Sequence, residues 1–162
     1  MHQRGFTLVE LVVAIAIMGV LLTIGAISLT NSQVDARDRE RLGDIENIAR
    51  SLESYYTANN GSYPATTIMD SETLQTTTLA GMSSSAYRAP NVASGTSIIV
   101  AINNTATPAG VRLLPTISQY NYQPIASDGT LCNDVAKECR SFSLYYREER
   151  TNTVVQFSGK NK

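Results

Sequence analysis

One acidic side chain stands alone in an apolar run. Glu10 lies near the start of residues 6–29, and no charge appears from Leu11 through Ile27. A carboxylate inside a membrane-length segment costs about 2.5–3.5 kcal/mol on insertion scales, and more when it is unpaired in hydrocarbon. Its natural chemistry there is pairing with a cation. Other reactive residue types are few. His2 is the single histidine and precedes the run. A chain beginning at residue 6 therefore has no histidine for base catalysis or zinc binding, which excludes Ser–His and Cys–His nucleophile pairs. Cys132 and Cys139 have no further Cys or His to complete a metal set. Asp128, Asn133, Asp134 and Glu138 crowd the same stretch, where a solvated acidic loop is favoured over a Ca²⁺ site. Tyr145, Tyr146, Arg147 and Arg150 could form an aromatic-basic patch for DNA or glycan, but strand residues with polar tips outward are the plainer reading. With 13 Lys+Arg against 14 Asp+Glu, the 162-residue chain has no basic excess for nucleic acid. No enzyme activity, metal or cofactor is expected.

Residues 6–29 number 24, so a helix of that length reaches about 36 Å against a hydrocarbon core of about 30 Å. His2 and Arg4 precede the run, and a mixed-sign stretch from Asp35 to Arg41 follows it. The leader favours a cytoplasmic N-terminus, although Arg37, Arg39 and Arg41 weaken the asymmetry. A secretory signal peptide could use Ala26-Ile27-Ser28 as its cleavage site, but the run is too long and contains Glu10. A plain single-pass anchor gives no reason for Glu10, Gly5 or Phe6. A buried core helix would need a larger domain around it.

The segment Gly5-Phe6-Thr7-Leu8-Val9-Glu10 resembles the processing motif of the type IV prepilin class, which includes pilins and the pseudopilins of type II secretion. The resemblance implies that a prepilin peptidase cuts after Gly5 and N-methylates Phe6, making Glu10 the fifth residue of the mature chain. It further implies that Glu10 of one subunit meets the N-terminal amine of its neighbour in a filament, with Phe6 and Thr7 beside it. A desolvated opposite charge makes such a carboxylate tolerable, and one buried pair can set the register of apolar helices that otherwise lack one.

No proline precedes Pro64, so residues 6 to about 58 read as one helix. The family commonly has a proline in the membrane half. Its absence here places any bending or melting on assembly at Gly19 to Gly25. Beyond the apolar run, Leu42, Ile45, Ile48, Ala49, Leu52, Tyr55 and Tyr56 recur at three- and four-residue steps. Arg39, Glu40, Asp44, Glu46, Arg50 and Glu53 fill the other face. Charges four apart, such as Asp35/Arg39, Arg37/Arg41 and Glu46/Arg50, read mostly as a solvated face. Asn59-Asn60-Gly61-Ser62-Tyr63-Pro64 is a helix stop, and with Tyr55-Tyr56 it resembles the end of the N-terminal helix in pilins and pseudopilins.

Residues 65–118 are rich in Thr, Ser, Ala and Asn and are poorly legible. A short helix over 71–80, capped by Asp70 or Ser71, and a strand over 97–102 are expected. From Gln119 the period becomes two, with Tyr120 and Tyr122, then Phe142, Leu144 and Tyr146, then 152–157 with Val154 and Val155. These predict a small antiparallel meander whose apolar face covers the amphipathic half of the helix. The fold class is therefore α+β, a long N-terminal α-helix packed on a small antiparallel β-sheet head, as in the pilin fold. The divisions are a leader at 1–5, a transmembrane and assembly helix at 6–29, its amphipathic continuation at 30–58 and a globular head at 59–162.

In an exported head, Cys132 and Cys139 are expected to form a disulfide, and the resemblance agrees, since many pilins carry a disulfide-bounded C-terminal loop. The resemblance implies a structural subunit of a type IV pilus-like filament serving adhesion, twitching motility or DNA uptake. Its partners would be copies of itself and related pilins in a helical filament, prepilin peptidase, an assembly platform with ATPases, and the lipid bilayer before assembly. It would sit in the plasma membrane first and in an extracellular filament later. The alternatives are a type II secretion pseudopilin and a membrane-anchored binding domain that never polymerises.

Overall fold

Helix α1 spans Leu8–Ala58 and runs through Gly19, Gly25 and Gly43 without a break. The computed structural model describes residues 7–82, 84–92, 99–103 and 107–159. With no proline before Pro64, every residue of α1 can donate its backbone N–H. The helix ends as its sequence demands. Asn60 takes a left-handed φ of 55° and Gly61 one of 73°. The Gly61 N–H then reaches back to the Tyr56 carbonyl at 3.0 Å, the long bond of a Schellman-type cap. A Cβ at Gly61 would lie 3.1 Å from Arg140 Nη1 and 3.3 Å from the Tyr56 ring, so both the backbone conformation and the available space favour glycine.

The chain divides into two compact units, Met1–Ala36 and Arg37–Lys162. In the first, apolar side chains such as Leu11, Ile15, Leu22 and Ile24 are all exposed. An 18-residue window of α1 has mean hydropathy 2.6 and no buried residue, which makes the helix long and apolar enough to cross a membrane.

The second unit carries the core. Ile45, Ile48, Ala49 and Leu52 of α1 are buried with Tyr120, Tyr122, Phe142, Leu144 and Tyr146 of the sheet. Each fully buried Ile, Leu or Phe contributes about 1.5–3 kcal/mol. The expected stripe needs one correction. Leu42 is 43% exposed, whereas Arg41 and Asp44, placed on or near the polar side by sequence, are buried. Arg41, four residues before Ile45, lies near the centre of the stripe, whereas Leu42, three before Ile45, lies at its edge.

Four strands follow: β1 (Ile99–Ala101), β2 (Tyr120–Ala126), β3 (Cys139–Arg147) and β4 (Val154–Ser158), side by side in that order. The β2–β3–β4 meander is antiparallel, with Tyr122 opposite Leu144 and Tyr146 opposite Val155. The expectation of a wholly antiparallel sheet is corrected at its edge. β1 runs parallel to β2, pairing Ile99 with Tyr120, so the sheet is mixed. Before β1, helix α2 spans Glu72–Thr78 and is capped by Ser71, whose hydroxyl accepts the Leu74 N–H at 3.2 Å.

The sheet is covered on both faces. Opposite α1, Leu113, Tyr145 and Val154 form a second buried cluster. The irregular segment 107–117 lies over it, where the Pro108 carbonyl accepts from Gln123 Nε2 at 3.2 Å and the Pro115 carbonyl from Arg147 Nε at 2.8 Å. The outward-facing tyrosine tips expected near the end of β3 are therefore corrected, since Tyr145 and Tyr146 are both buried. The Tyr145 hydroxyl donates to Gln123 Oε1 at 2.9 Å. An aromatic-basic patch for DNA or glycan has lost both its rings.

Candidate functional site

The start of α1 is the first site. Thr7 caps the helix and Glu10 stands three residues later. The Thr7 N–H and the Thr7 hydroxyl both donate to Glu10 Oε2 at 2.9 Å, and the Glu10 N–H donates to Thr7 Oγ1 at 3.3 Å. This is a reciprocal capping box, in which two orphan donors of the first turn are satisfied locally. A negative charge here also complements the positive end of the helix dipole. Glu10 thus has a local partner before any neighbouring subunit is considered. The Thr-x-x-Glu spacing of Thr7 and Glu10 is the sequence signal for this role. Gly5 and Phe6 lie outside the described residues. Gly19 and Gly25 lie within continuous helix, and no neighbouring atom lies within 4 Å of where a Cβ would stand on either. Nearby, the Thr23 hydroxyl donates to the Val20 carbonyl at 2.7 Å.

The second site is the loop between β2 and β3. Cys132 and Cys139 are bonded, with Cα atoms 5.6 Å apart. Cys139 opens β3, so the bond ties the loop to the first residue of that strand. Its backbone also anchors the chain after α1, because the Cys139 carbonyl accepts the Tyr63 N–H at 2.8 Å and the Cys132 carbonyl accepts the Thr66 N–H at 3.1 Å. The acidic side chains serve turns. Asp128 Oδ1 accepts the Thr130 hydroxyl at 2.6 Å and the Thr130 N–H at 2.9 Å, and these bonds hold its carboxyl below the ordinary value. Asp134 Oδ1 accepts the Ala136 N–H at 2.9 Å. Among the described residues, no three His, Cys, Asp or Glu side chains gather as a metal set would require.

The third cluster was not anticipated from sequence. Arg41, 2% exposed, donates from Nη1 to Asp38 Oδ1 at 2.8 Å, from Nη2 to Glu149 Oε2 at 3.2 Å and from Nε to the Ile117 carbonyl at 3.2 Å. Arg37 grips Glu149 with two donors, Nε to Oε2 at 2.8 Å and Nη2 to Oε1. Asp38 accepts the backbone N–H groups of Glu149 and Arg150 at 2.8 and 3.0 Å. Charges read as a solvated face instead join α1 to the β3–β4 turn.

Tyrosine hydroxyls are the other recurrent device. Tyr63 donates to Glu53 at 2.9 Å, Tyr87 to the Leu79 carbonyl at 2.7 Å, Tyr120 to Asp44 at 2.7 Å and Tyr122 to the Pro64 carbonyl at 2.8 Å. A core built from tyrosine needs an acceptor for every buried ring, and those acceptors fix the loops that supply them.

The model of the prokaryotic N-terminal methylation motif matches residues 1–26. The chain is 38% identical over 65 residues to the type II secretion system core protein G of Pectobacterium carotovorum subsp. carotovorum. That similarity covers 40% of this chain and 41% of the relative, so less than half of either protein is compared. No solved structure matches the chain. The chain resembles the prepilin class at its methylation motif, and it joins that N-terminus to an α+β head in the pilin-like layout.

Proposed function

We propose that this chain is a structural subunit of a filament of the type IV pilus class. The observation that carries the reading is the coincidence of three features. A methylation motif matches residues 1–26, the apolar helix that starts within it is capped by Thr7 and Glu10, and the head beyond it carries a disulfide-closed loop. In this reading residues 1–5 are a leader removed between Gly5 and Phe6 by a prepilin peptidase. Residues 6–29 hold the chain in the plasma membrane with its N-terminus in the cytoplasm, then pack against copies of themselves and related subunits. Residues 30–58 carry the head at 59–162. A repeated heterologous contact that does not close gives a helical fibre. The role is structural, not enzymatic, and an assembly platform with ATPases would supply the work.

Glu10 has two tasks in this account. It caps α1 through Thr7, and it meets the methylated amine of Phe6 on a neighbouring subunit. Gly19 and Gly25 give the membrane half its freedom to bend. The likeness to a type II secretion core protein favours a second reading, a pseudopilus subunit of a secretion machine. Shearing cells and identifying the chain by mass spectrometry in long surface fibres supports the pilus. Loss of exoprotein release on deletion, with no fibres at native expression, supports the pseudopilus. A chain found only as membrane-bound monomers under both tests contradicts both readings.

A further inference from the structure

Asp44 lies on α1 and is 8% exposed, against Tyr120 of β2, which is fully buried. Its Oδ2 accepts the Tyr120 hydroxyl at 2.7 Å. The cation nearest in sequence on the same helix, Arg41, bonds to Asp38, Glu149 and the Ile117 carbonyl. Glu40, one turn earlier, adds negative charge, and Tyr146 of β3 presents a buried neutral ring to the same core. Asp44 therefore faces one phenol donor in a hydrophobic setting. Burial without a paired cation disfavours the charged form of a carboxyl.

We propose that Asp44 and Tyr120 form a proton-operated clamp between α1 and β2: the packing is most stable with the Asp44 carboxyl neutral, and ionisation costs stability because the charge is held away from water, even though the Tyr120 hydroxyl bonds more strongly to a carboxylate. The proton leaves to solvent, and no other group needs to change. Burial pushes the Asp44 carboxyl up from 3.8 to about 7, and the Tyr120 bond only partly offsets this. The sign follows from the raised value. The stabilising contribution is complete below about 3.8 and is lost as pH rises through about 7. The hold of α1 on the sheet then responds to the pH of the compartment that bathes the head, whether or not the chain polymerises.

Thermal unfolding of the full chain in detergent micelles, from about pH 4 to about pH 8, tests the clamp. Asp44→Asn keeps an acceptor for the Tyr120 hydroxyl and cannot ionise. The variant should melt close to the wild type at the acid end and progressively above it toward pH 8. Parallel curves, or a variant less stable than wild type at pH 8, would overturn the proposal. If the variant does not fold, carbon-13 NMR of the Asp44 carboxyl in the wild-type chain decides the matter. A midpoint near 7 supports the clamp, and a midpoint below about 5 rejects it.

Discussion

Arg41 and Glu149 are 108 residues apart in sequence and 3.2 Å apart in the fold. Arg37 holds the same carboxylate, and Asp38 holds the backbone of the same turn. Three residues of α1's second half, Arg37, Asp38 and Arg41, thereby fix the β3–β4 connection, with the Arg41 guanidinium almost wholly out of water. Removing one partner of a buried pair costs about 3–5 kcal/mol, because the remaining charges lose their compensation. Arg41→Ala should lower head stability by about that much in urea unfolding. Arg50→Ala should change it little, since the Arg50–Glu46 pair is exposed.

The same cluster sets an acid limit. The hydrogen bond from Arg37 holds the Glu149 carboxyl down to about 2, below its ordinary 4.5. A lowered folded value means stability present above about 4.5 and lost as pH falls through about 2. Glu149→Gln should flatten the acid limb of a stability–pH curve. Asp44 acts with opposite sign at higher pH, so these two groups together favour a maximum in mildly acid solution.

Glu10 can be dissected because its two tasks need different chemistry. Glutamine at the third helical position still completes a capping box, whereas alanine does not. Glu10→Gln should therefore keep the helix start, and both Glu10→Gln and Glu10→Ala should reduce filament yield sharply through loss of charge. Membrane insertion should persist in both. Normal fibres from Glu10→Gln, with failure only of Glu10→Ala, would reduce Glu10 to a cap.

The disulfide should protect the head. Closing this short loop is worth about 2.5 kcal/mol in the chain-entropy model. Cys132→Ser should lower the head's melting temperature and leave α1 able to insert. Thiol labelling of native protein under denaturing, non-reducing conditions should find no free cysteine.

Gly159 borders the core in a way no turn signal marks. A Cβ there would lie 2.5 Å from Cε1 and 2.9 Å from Cδ1 of Phe142, itself 1% exposed. Forcing that ring aside should make Gly159→Ala cost about 1–3 kcal/mol in chemical unfolding.

Features governed by local chemistry were legible in the sequence. The proline-free run, the Asn59-Asn60-Gly61 stop, the Ser71 cap and the period-two strands depend on neighbouring residues and appear where their spacing puts them. Features governed by distant partners were not legible. Arg41 and Asp44 look like surface charges until Glu149 and Tyr120 arrive from far along the chain. Nothing in β2 announces that Gln123 is buried with its amide bonded to the Pro108 carbonyl of the irregular segment 107–117. The parallel placement of β1 depends on a crossover that no short pattern encodes. At the candidate site, the lone carboxylate of Glu10 was conspicuous, but its Thr7 partner was hidden by the stronger pull of the apolar run.

Intact-mass analysis of protein purified from its native membrane or fibres decides whether the chain is a processed filament subunit. Such a subunit begins at Phe6 and carries one additional methyl group on its α-amine. Retention of Met1, or a terminus near Ser28, would overturn the filament reading.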